Sequence, residues 1–194
     1  MGKIKSALEI ALEKTESVAS DKNVIGQYEA KQNGKKLANE YLCGAIKSLE
    51  DEIKKAPKVS LDSLKQGIFD ILISQITLPV TKDEVKRVET AGHGLSAIIG
   101  GKQFPEIVKQ LTGMLNQYLD EAAQYEEAIK KQYAPKLRAK EEELSHRFGR
   151  PVKLDPFQDP EFVAFFNQNM NALKSNYESA MDQVRKEARR LFGE

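Results

Sequence analysis

The sequence predicts an all-α protein, and three observations predict it. Apolar residues recur at steps of three and four along most of the chain, and no segment alternates apolar and polar residues as a half-buried strand would. Aromatic residues make up only 7% of the chain, with no Trp, which suits helical bundles better than sheets. With 194 residues, the chain can bury a real core in one domain or in a small bundle with an appendage. Residues 1–101 read as a compact N-terminal helical bundle. Residues 102–194 read as a long antiparallel, coiled-coil-like helical hairpin that turns at 149–160 and is kinked near Pro135.

The elements follow in order. Ile4, Ala7, Leu8, Ala11, Leu12 and Val18 share one helical face, and Glu9, Glu13 and Glu16 lie off it, so the chain opens with an amphipathic helix. The polar stretch Ser20–Asn23 predicts a break. A second helix is expected over Lys35–Lys55, with Leu37, Tyr41, Leu42, Ala45, Ile46, Leu49 and Ile53 in register, Glu50–Lys54 and Asp51–Lys55 as exposed pairs, and Ala56-Pro57 as its stop. Ser60 is placed to cap a third helix through Ile76. That helix is apolar on more than one side, as a central helix is, or one that closes a dimer. Pro79 ends it, and Thr81-Lys82-Asp83-Glu84 forms a capping box for a fourth helix through Ile99.

Gly100-Gly101 interrupts the pattern, and Pro105 suits a first helical turn. Phe104, Val108, Leu111, Leu115, Tyr118, Ala122, Tyr125 and Ile129 then form a seam for a second helix. Pro135 costs one backbone hydrogen bond and about 3 kcal/mol, yet no loop-forming residue surrounds it, so a kinked continuation to Phe148 is expected. Gly149 and Pro151 stop this arm. Asp159-Pro160-Glu161 starts the returning one, with Asp capping, Pro at the first position and Glu favoured by the helix dipole.

Charge and motifs exclude more than they assign. Thirty basic residues against 29 acidic ones leave the molecule as a whole no electrostatic reason to seek nucleic acid or an anionic membrane. No apolar run reaches the roughly 20 residues that span a bilayer. The run Arg185-Lys186-Glu187-Ala188-Arg189-Arg190 is basic, but arms meeting at Phe148 and Pro160 place it opposite roughly residues 118–123, beside Asp120 and Glu121, so pairing within the chain is the simpler account. Met1-Gly2 with Ser6 matches the loose myristoylation pattern, too permissive to carry weight, and a single Cys43 excludes an internal disulfide and suits a reducing compartment.

Glu143 and His146 have the Glu-x-x-His spacing of di-iron bundles, and His93 follows Glu89 by four residues. The second Glu-x-x-His motif is missing, so these four are weak metal candidates and no cofactor is expected. Gly92–Lys102 lacks the spacing of a phosphate loop. No catalytic constellation is present. The set that stands out is Val152, Leu154, Phe157, Phe162, Val163, Phe165 and Phe166, wider than one helix seam needs. It reads either as a satellite core closing the hairpin tip or as a surface that docks a protein partner.

The opening Lys3–Thr15 and the ending Met181–Gly193 resemble a family of uncharacterised helical proteins from anaerobic bacteria. The resemblance implies a bacterial cytoplasmic protein and brings no known activity. The functional expectation is therefore a non-enzymatic interaction, scaffold or assembly protein that self-associates and uses the hairpin as its binding arm. Metal-dependent catalysis and weak nucleic-acid binding are the alternatives.

Overall fold

A computed structural model gives the structure; it describes residues 7–193, with side chains from Val24 onward. The face assigned to Ile4–Val18 lies outside those side chains. Among the described residues six α-helices follow one another, α1 (Ala7–Leu42), α2 (Leu49–Lys55), α3 (Leu61–Ser74), α4 (Lys82–Ile99), α5 (Gln103–Phe148) and α6 (Pro160–Phe192), and no strand occurs. The chain forms two compact units, one of Met1–Gln75 with Thr90–Pro105, the other of Ile76–Glu89 with Glu106–Glu194.

In the first unit, two expected boundaries move. The polar stretch 20–23 does not break α1. It contains neither Gly nor Pro, and its residues cost only a few tenths of a kcal/mol each within a helix. The helix expected over Lys35–Lys55 is instead split. The backbone of Gly44 turns left-handed (φ +76°), its N–H donates to the Tyr41 carbonyl at 3.0 Å, and the Ala45 N–H donates to the Glu40 carbonyl at 2.9 Å. That pair of bonds is the glycine-centred stop of a helix C-terminus. α2 then starts afresh, with the Ser48 hydroxyl accepting from the Asp51 N–H at 3.3 Å. Its charges pair three residues apart, Lys54 with Asp51 and Lys55 with Glu52, and not four apart.

α3 carries the core of this unit. Leu64, Ile68, Phe69, Leu72 and Ile73 are buried on more than one side, and α1 packs along the helix through Ala30, Gly34 and Ala38. Its apolarity is thus used inside the chain. Ser60 stands at the N-cap as expected but its side chain makes no capping bond; a 3-10 turn, Lys58–Ser60, leads in, and the Ser60 hydroxyl donates back to the Pro57 carbonyl.

In the second unit, the capping box at α4 forms with a shift. The Glu84 N–H donates to the Thr81 hydroxyl at 3.3 Å, while the Glu84 carboxylate accepts from Val80. α5 runs unbroken through Pro135. α6 pairs with it antiparallel: Tyr118 lies 4.9 Å from Tyr177, ring to ring, and Tyr133 lies 5.2 Å from Phe162. This register differs from the expected one, in which a turn closing on Phe148 and Pro160 sets Phe162 against His146. The connection explains the offset. Past Gly149 the chain folds back along the end of α5, where the Ser145 hydroxyl accepts from the Val152 N–H and the Glu141 carboxylate from the Leu154 N–H, both at 2.8 Å. α6 begins only after that return.

Candidate functional site

The junction of α5 and α6 is built on Asp159. As the N-cap of α6, its Oδ1 accepts from the Glu161 N–H at 3.1 Å, as the sequence predicts, and Pro160 fills the first helical position. The sequence reading misses its second role. Lys140 donates to both carboxylate oxygens at 3.0 and 2.8 Å, and the Tyr133 hydroxyl donates to Oδ2 at 2.9 Å. Asp159 is the buried charged residue among the described side chains, at 8% exposure, and these bonds compensate its desolvation. Glu161 joins the cluster by accepting from Lys140 and pairing with Lys136, both at 2.9 Å.

The electrostatics follow from that geometry. The Lys140 hydrogen bond holds the Asp159 carboxyl below its ordinary value, against burial, with Tyr133 helping. Lys136 and then Lys140 hold Glu161 low. Asp159 and Glu161 in turn hold the Lys140 ammonium well above the usual lysine range. Burial, then the Asp159 bond, raises the Tyr133 phenol. Asp159, Glu161, Lys136 and Lys140 therefore stay charged and mutually paired at neutral pH, and Tyr133 stays a neutral donor. The cluster is an electrostatic clamp.

Against the clamp lies an aromatic cluster. Phe162 is fully buried, with Tyr133 edge-on at 5.2 Å. Phe157 stands edge-on to both Phe162 and Phe166, at 5.2 and 5.3 Å, and the Lys130 ammonium sits 5.7 Å from its ring centre. Ile129 and Met170 complete the buried set. Of the seven tip residues singled out from sequence, Phe162 is buried, Val152, Leu154, Val163, Phe165 and Phe166 are half-buried, and Phe157 is exposed at 47%. Beside them, Lys140, Glu143, Leu144, Leu154, Gln158, Asp159 and Pro160 line a cleft of about 370 Å³. A second groove, of about 350 Å³, runs between the helices at Ile107, Leu111, Met114, Ala180 and Val184.

The metal candidates do not assemble. Glu143, His146 and His93 are exposed and Glu89 is half-buried, and among the described residues no three His, Cys, Asp or Glu side chains lie together as a metal ion requires. The basic run is occupied, though with partners other than those expected. Arg185 donates to the Ile76 carbonyl at 2.6 Å and pairs with Glu178 and with Asp182, Arg190 pairs with Glu187, and Ala188 is fully buried. Glu121 instead accepts from Tyr177 and Gln117, each at 2.7 Å, because the return of the connection shifts the register. Cys43 is exposed at the end of α1. Among the described residues, no helix is long and apolar enough to cross a membrane.

Fold and site together define an all-α protein whose longest helix pair is joined by a charge-clamped aromatic turn. The chain belongs to DUF6657, a family of unknown function whose sequence profile matches residues 50–190. The resemblance to an uncharacterised family agrees with this; of the two segments that carried it, Met181–Gly193 overlaps the matched residues and Lys3–Thr15 does not. No curated protein and no solved structure matches the chain.

Proposed function

We propose that this chain is a non-enzymatic helical interaction protein and that the turn between α5 and α6 is where it engages a protein partner. The observation that carries the reading is Phe157, a large aromatic exposed at 47% yet fixed edge-on against two other rings. An aromatic side chain held in place before binding loses little conformational entropy on docking, and such residues dominate interface energetics. The clamp supports the same reading. Asp159, Lys140 and Tyr133 hold the short 3-10 turn Pro156–Gln158 against α5, so Phe157 is presented from a fixed backbone.

The test is a pull-down from the native organism with wild type and Phe157→Ser side by side. The expected result is a specific protein retained by wild type and lost from the variant, with the melting temperature nearly unchanged. Equal capture by a folded Phe157→Ser protein refutes the reading. Lost capture that accompanies a large drop in melting temperature assigns Phe157 to the core instead.

A further inference from the structure

We draw no further inference here: the strongest candidate, the exposed apolar patch of Val24, Ile25 and Tyr28 midway along α1, carries nothing because nothing in the structure shows what covers it.

Discussion

Gly34 of α1 and Gly67 of α3 meet at a crossing where each lies against the other helix's backbone. A Cβ on Gly34 would fall 3.1 Å from the Ile68 amide nitrogen and closer still to the Leu64 carbonyl. One on Gly67 would fall 3.1 Å from the Lys35 amide nitrogen and closer still to the Lys31 carbonyl. Backbone cannot yield as a flexible side chain can, so the crossing demands glycine on both sides.

Gly34→Ala and Gly67→Ala are therefore each expected to destabilise the protein by about 3 kcal/mol, the upper end of overpacking costs. Gly113→Ala is the control. A Cβ there meets nothing within 4 Å, and alanine should stabilise α5 by about 0.5–1 kcal/mol. Urea denaturation of the three variants checks both signs.

The clamp predicts an order among carboxylate substitutions. Asp159→Ala loses the helix cap, the Lys140 pair and the Tyr133 bond together, whereas Asp159→Asn keeps an oxygen for the cap and loses the charge. Alanine should lower the urea midpoint more than asparagine, and both more than Asp155→Ala, whose side chain accepts only from the Phe157 N–H. An Asp155 variant as damaging as Asp159→Ala would contradict this.

Stability should fall at both ends of the pH scale. Asp159 and Glu161 are held below their ordinary values of 3.8 and 4.5. Their contribution is complete above those values and is lost as pH falls through the lower folded ones. Lys140 is raised above 10.5, so its contribution is complete below that pH and is lost as pH rises through the folded value. Thermal melts should show a plateau from about pH 6 to 9, with a shallower acid limb in Asp159→Asn. An unchanged acid limb would remove Asp159 as a source of acid sensitivity.

Tyr177 should ionise late. Burial, with the bond to Glu121, pushes its phenol up to about 12. An ultraviolet titration of tyrosinate should contain a phase near that pH that disappears in Tyr177→Phe.

The basic segment divides into a half-buried arginine and an exposed one. Arg185→Ala severs bonds to the Ile76 carbonyl and to two carboxylates and should cost about 2 kcal/mol. Arg190 is 62% exposed, and Arg190→Ala should change stability by less than about 0.5 kcal/mol. Equal effects in urea denaturation would contradict the division.

By itself the sequence determined what depends on local backbone chemistry. The helical class follows from apolar periodicity, the N-terminus of α6 from Asp159-Pro160, and the end of α5 from Gly149; each signal needs only near neighbours. Where two local signals competed, periodicity misled: Leu37–Ile53 keeps a helical repeat straight through Gly44, and the left-handed turn there wins because it satisfies the last carbonyls of α1. Tertiary structure alone decided the rest. The register of α6 on α5 depends on a connection that runs backward, tied by Ser145 and Glu141, and no periodicity encodes that return. Lys140 and Tyr133 lie 19 and 26 positions before Asp159, a separation that no local signal bridges. Burying a carboxylate requires partners, but which residues supply them is settled only when the chain closes on itself.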